Sequence, residues 1–167
     1  MNKIGIIMGS DSDLPIAEKA IEKLAEYGIN YEVHVYSAHR TPEETIRFAK
    51  EGRQNGFDAL IGIAGKAAHL AGVIAANTTL PVIGVPVNSS LEGMDALLST
   101  VQMPPGIPVA TVAIDSGMNA AILAAKILAV SDEEVLKKLK DYSAEMKDTV
   151  QAKADRLAEV GYEEYLK

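Results

Sequence analysis

Tyr36-Ser37-Ala38-His39-Arg40-Thr41-Pro42 is the stretch on which the reading of this chain turns. It joins a β-branched run, Tyr31 to Tyr36, to a helical one that opens at Pro42. Thr41, Pro42 and Glu44 form a helix-start signal: a hydroxyl at the N-cap, proline at the first helical position and a glutamate three residues after the cap. Ser37, Ala38, His39 and Arg40 therefore fall on a short loop between the carboxyl end of a strand and a helix N-terminus, where open α/β sheets bind their ligands. That loop carries a proton carrier, a fixed cation and a hydroxyl. An ordinary loop histidine and a solvated arginine would look the same, so the weight rests on whether other loops bring matching chemistry to the same edge.

Outward from this loop the chain alternates strand and helix. Lys3 to Met8 is an Ile-rich buried strand. Asp13 as N-cap and Pro15 just inside start a helix whose apolar positions run from Ile16 to Ala25, closed by Gly28. Further strands are expected at Asn30–Tyr36, Ala59–Ile63, Val82–Val85 and Val109–Ile114, with a helix from Pro42 to about Asn55. This order predicts an α/β fold: a flavodoxin-like, doubly wound parallel sheet in three layers, one domain over residues 1–167.

Two more strand-end loops then bear on function. In Gly9-Ser10-Asp11-Ser12-Asp13 the serines and the backbone N–H groups of a helix N-terminus suit a phosphate. The loop is neither Gly-x-Gly-x-x-Gly nor a Walker A loop. A carboxylate would repel phosphate, so Asp13 is assigned to a sugar hydroxyl. Ala64-Gly65-Lys66-Ala67-Ala68-His69 offers small residues for close backbone approach, with Lys66 and His69 for polar reach. His34 lies inside a strand and is read as structural. Three such loops at one sheet edge raise the odds more than any one of them.

Composition bounds the partners. The net charge is −7, which argues against general nucleic-acid binding but allows a local anion site built from one arginine and a helix N-terminus. Cysteine is absent and 48% of residues are hydrophobic, so there is a core to bury but no thiolate or disulfide chemistry. No secretory signal or membrane-spanning run is visible, and a cytoplasmic protein is expected. From Ala67 to Val130 the charged residues are Glu92, Asp95, Asp115 and Lys126 alone, too few for a segment facing water throughout. Ser131 and Glu134 read as a capping box for a helix reaching about Val160, with an apolar stripe at Val135, Leu139, Tyr142, Met146, Val150, Leu157 and Val160. At 1.5 Å per residue it spans roughly 40 Å, long enough to reach a neighbouring protomer.

Along essentially its whole length the chain resembles the PurE family of purine biosynthesis. The resemblance lies in Met8 to Asp13, Ser37 to Pro42, Ala67-Ala68-His69-Leu70, Val101-Gln102-Met103-Pro104 leading to Gly106 to Thr111, and Asn119 to Ala125. It implies a flavodoxin-like fold, a homo-octamer with active sites near subunit junctions, and no metal, ATP or biotin. The implied reaction moves a carboxyl group from the exocyclic nitrogen of N5-carboxyaminoimidazole ribonucleotide to C4 of its ring. A second branch of the family joins free CO2 to aminoimidazole ribonucleotide; there lysine follows the loop histidine and an Arg-Ser-Asn type loop replaces Ala-Ala-His-Leu. Arg40 and Ala67 to Leu70 are similar to the mutase branch. Lys66 and Ala71 depart from it, since a small residue and proline are common there.

The chemistry this implies needs a closed pocket that keeps CO2 and one group that gives and later takes a proton near neutral pH. His39 is the catalytic candidate. Ser10, Ser12, Ser37 and Arg40 are the candidates for the phosphate, Asp13 for the ribose, and Gly65, Lys66 and His69 for the base and CO2. Two other classes stay open: a flavin-binding protein, for which aromatic residues are few, and a response-regulator-like module holding a metal on Asp11 and Asp13, which lacks an aspartate at Ile63-Ala64-Gly65.

Overall fold

The computed structural model describes residues 2–167. Five parallel strands, β1 (Lys3–Met8), β2 (Asn30–Val35), β3 (Ala59–Gly65), β4 (Val82–Val87) and β5 (Ala110–Thr111), stand in the order β2-β1-β3-β4-β5. Helices α1 (Leu14–Glu26), α2 (Pro42–Glu51), α3 (Leu70–Ala75) and α4 (Met94–Val101) connect the strands, and α5 (Gly117–Leu128) and the long α6 (Glu133–Tyr165) follow β5. This is the flavodoxin-like three-layer order expected from the alternation. The central strands are continuous apolar runs because both faces are covered. Ile4, Ile6, Met8, Ile61 and Ile63 join Ala17, Leu24, Ala121 and Ala125 in one core, beneath α1 and α5. Ile7 and Leu60 meet Phe48, Leu70 and Ile74 in the other, beneath α2 and α3.

The ends of the elements explain several differences from the expected bounds. Gly28 (φ 68°) closes α1 as expected, its N–H bonding Ala25 O at 2.9 Å. β4 runs past Val85 through Pro86. The carbonyls of Gly84 and Pro86 accept from Val112 and Asp115 on the β5 side, so the N–H that proline lacks would point where β5 has already ended and no ladder bond is lost. β5 shrinks to a two-residue strand.

Three expected caps are placed differently. Asp13 does not cap α1; the preceding 3₁₀ turn, Asp11–Asp13, is capped by Ser10, whose hydroxyl accepts from Ser12 N–H. Thr41 does not cap α2, because its hydroxyl folds back onto the loop before it. Asp132, not Ser131, caps α6, its carboxylate accepting from the N–H groups of Glu134 and Val135 at 3.0 Å each.

In α6 only Val135 is buried, with Leu139 and Tyr142 packed against the core. Beyond them Met146, Val150, Leu157 and Val160 are exposed. The helix continues past the expected Val160 to Tyr165, breaking its geometry at Gly161 (φ 75°, ψ 162°). No helix among the described residues is long and apolar enough to cross a membrane.

Candidate active site

The carboxyl ends of β2, β1, β3 and β4 surround a cavity of about 460 Å3, within the usual range for small-molecule sites. Every residue assigned from the sequence to catalysis or substrate binding lines it: Ser10, Ser12 and Asp13 after β1, Ser37, His39 and Arg40 after β2, and Gly65, Lys66 and His69 after β3. Sheet register is what joins them. Met8 pairs with Val35 on one side and Ile63 on the other, so the three loops leave the sheet at the same height.

The β2 loop is clamped by Thr41. Its hydroxyl accepts from Ser37 N–H at 2.8 Å and lies 3.2 Å from Ser37 O, to which it can donate. The backbone N–H of Thr41 also bonds that carbonyl at 2.8 Å. This fixes the turn that carries His39 and Arg40. Arg40 donates from Nη2 to Gly9 O at 3.0 Å and from Nε to the Ser37 hydroxyl at 3.4 Å. A guanidinium has further donors in its planar fork, and among the described residues these have no partner.

His39 crosses to the β3 loop. Its Nε2 and His69 Nδ1 share a hydrogen bond of 2.8 Å, with the rings edge to face at 81°. One imidazole donates and the other accepts, so the pair fixes both ring planes. Among the described residues His39 Nδ1 and His69 Nε2 make no further bond. The sequence singled out both histidines but gave no sign that they touch.

Asp13 is 7% exposed, and burial pushes its carboxyl above the ordinary value; Asp11 and Asp115 add to the rise, while the Ser12 hydroxyl and the Ser10 backbone oppose it. Its side chain accepts from Ser12 Oγ at 3.4 Å, and its own N–H bonds Ser10 O. Lys66 sits at φ 56°, a left-handed conformation that costs energy in a residue with a Cβ and clusters at functional sites. Among the described residues no three His, Cys, Asp or Glu side chains are grouped to hold a metal ion. His34 stacks on Tyr36 at 5.2 Å and meets Phe48 edge-on, a structural setting.

One wall of the cavity was missed from the sequence: Ser89, on the loop after β4. Its signal was Asn88-Ser89-Ser90, a polar run behind an apolar strand. A strand ending before Pro86 would leave this run away from the sheet edge, whereas β4 carries on to Val87 and brings Ser89 to it.

A family model described as AIR carboxylase matches residues 3–149. The chain is 53% identical over 167 residues to the N5-carboxyaminoimidazole ribonucleotide mutase of Thermotoga maritima, covering 99% of this chain and 98% of that protein. With the protein of the same name from Methanocaldococcus jannaschii it shares 57% identity over 157 residues, 94% of this chain and 98% of that one. The crystal structure of Treponema denticola PurE superimposes with a TM-score of 0.78 at 30% identity, covering 97% of this chain and 100% of that chain. Cavity, sheet order and sequence agree, and the chain belongs to the AIR carboxylase family.

Proposed function

We propose that the chain is an N5-carboxyaminoimidazole ribonucleotide mutase, an isomerase that yields 4-carboxy-5-aminoimidazole ribonucleotide for purine synthesis. The observation that carries this reading is the His39–His69 hydrogen bond inside the cavity that also holds Arg40. It supplies an oriented imidazole beside an anion site, the combination that a proton-driven carboxyl transfer on a nucleotide needs.

In this reading Ser10, Ser12, Ser37 and Arg40 hold the phosphate and Asp13 accepts from a ribose hydroxyl. Gly65, Lys66 and His69 close over the base. His39 gives its proton to the exocyclic nitrogen. The nitrogen–carboxyl bond then breaks with its electron pair returning to nitrogen, and CO2 is released within the pocket. Ring C4, enamine-like once the nitrogen is free, attacks the CO2 carbon and a carbon–carbon bond forms. The C4 proton passes to His39, which restores both the aromatic ring and the acid. His69 holds the His39 ring in place through both transfers. The transfer requires that water be kept out while CO2 is detached, so that CO2 is not lost.

The same reading assigns the exposed stripe Met146, Val150, Leu157 and Val160 on α6 to contact with a neighbouring protomer in a homo-octamer, acting in the cytoplasm without nucleic acid. Solution mass tests the assembly. The activity is tested by giving the enzyme, without ATP, either the N-carboxylated nucleotide or aminoimidazole ribonucleotide with bicarbonate. Efficient turnover of the first supports the mutase. Turnover of the second alone would replace it with a CO2-using carboxylase.

A further inference from the structure

We infer that Ser89 is a positioning residue for the migrating carboxyl group, donating its hydroxyl to CO2 while that molecule is detached from the ring. The inference rests on the mutase reading above and adds a residue to it.

The sheet order gives the direction. Cavity-lining loops leave β2, β1, β3 and β4 in that spatial sequence, so the wall is about 14 Å long at ~4.8 Å per strand spacing. The proposed phosphate ligands Arg40, Ser37, Ser10 and Ser12 occupy the β2 and β1 end. A ribonucleotide anchored there extends its base toward β3 and β4. The group that leaves and rejoins the base is then handled at the β4 end, where Ser89 stands.

The local geometry holds Ser89 over that end. Gly65 pairs with Val87 at the top of β3 and β4. A Cβ built on Gly65 would lie 2.7 Å from Ser89 Oγ, so the glycine leaves room for this hydroxyl. Among the described residues Ser89 Oγ has no hydrogen-bond partner, whereas its neighbours are tied down. Asn88 N–H donates to Asp115 Oδ1 at 2.9 Å, and the Ser90 hydroxyl bonds the Asp95 carboxylate. Leu91 (φ 43°), Glu92 (φ 55°) and Asp115 (φ 57°) take the left-handed conformation around them. Ser89 is exposed, so its hydroxyl needs no protein partner; what points it to a ligand is its place on the cavity wall, over the space Gly65 leaves, on a loop held by its neighbours.

The test is Ser89→Ala, with Ser89→Thr as the variant that keeps the hydroxyl. Thermal midpoint and solution mass, compared with the parent, check folding. The N-carboxylated nucleotide is the substrate, and both carboxylated product and released aminoimidazole ribonucleotide are measured. Ser89→Ala should lower kcat on the order of tenfold, leave KM near the parent value, and raise the share of substrate lost as free CO2 and aminoimidazole ribonucleotide. Ser89→Thr should restore the parent partition. An unchanged partition and kcat in Ser89→Ala would overturn the inference while leaving the mutase reading intact. A rise in KM alone would also overturn it, placing Ser89 in ground-state binding. A parent enzyme that does not turn over the N-carboxylated nucleotide would instead overturn the reading underneath.

Discussion

Arg40→Ala should raise KM for the nucleotide on the order of a hundredfold while kcat stays within about threefold of the parent. The size follows from how the guanidinium is held. Of its five N–H donors, one on Nη2 is taken by Gly9 O at 3.0 Å and that on Nε by the Ser37 hydroxyl at 3.4 Å. These bonds set the plane of the fork and leave the remaining donors for a bidentate phosphate contact. Hydrogen bonds to charged groups are worth about 1.5–3 kcal/mol each. Arg40 is exposed and its contact is screened by water and salt, so the low end applies. About 3 kcal/mol for the pair is roughly 150-fold in binding. Arg40→Lys keeps the charge and loses the fork, and should fall between, about tenfold up in KM. Initial rates across substrate concentration at low and high salt measure this; added salt should raise KM more in the parent than in Arg40→Ala. An unchanged KM, or a fall in kcat at constant KM, would refute the assignment of the phosphate to Arg40.

Three further outcomes test other parts of the structure. His39→Asn should keep fold and nucleotide binding but lower kcat by about 10²–10⁴-fold, and near-normal turnover would remove the proton-transfer role. Asp13→Asn should weaken nucleotide binding yet stabilise the fold. Burial raises the Asp13 carboxyl, so the stability it contributes is complete below the ordinary carboxylate value and is lost as pH rises through the raised one. The melting temperature of the variant should therefore pull ahead of the parent's from about pH 4 upward, and a gap that does not change with pH would contradict this. Gly117→Ala should cost about 3 kcal/mol, the upper part of the overpacking range. Its Cβ would collide with the backbone carbonyl of Ile16 where α5 meets α1, and no rotamer change relieves a backbone clash. An unchanged denaturant midpoint would show that the two helices can part freely.

The fold was legible because its signals are local. The Ile-rich run Lys3–Met8, the glycine after α1 and the proline opening α2 each name an element from a few neighbouring residues. Their alternation leaves few alternatives to a parallel doubly wound sheet. The candidate site was legible for the same reason: polar and titratable groups stood on loops directly after strands, and β1, β2 and β3 end at one height. What stayed hidden depended on groups distant in sequence. Whether Thr41 caps its helix or clamps Ser37 depends on which partner its hydroxyl finds. Pro86 reads as a strand end, and only the shortness of the neighbouring β5 makes it harmless and carries β4 on to Ser89. His39 and His69 are separated by 30 positions, and their contact exists only once β2 and β3 stand on either side of β1. Sequence patterning dictated which side chains leave the sheet at its carboxyl edge, through the period of each strand and the residues that start each helix. Tertiary structure decided which of those side chains touch, because hydrogen-bond partners are set by distances of a few ångströms that no local preference encodes.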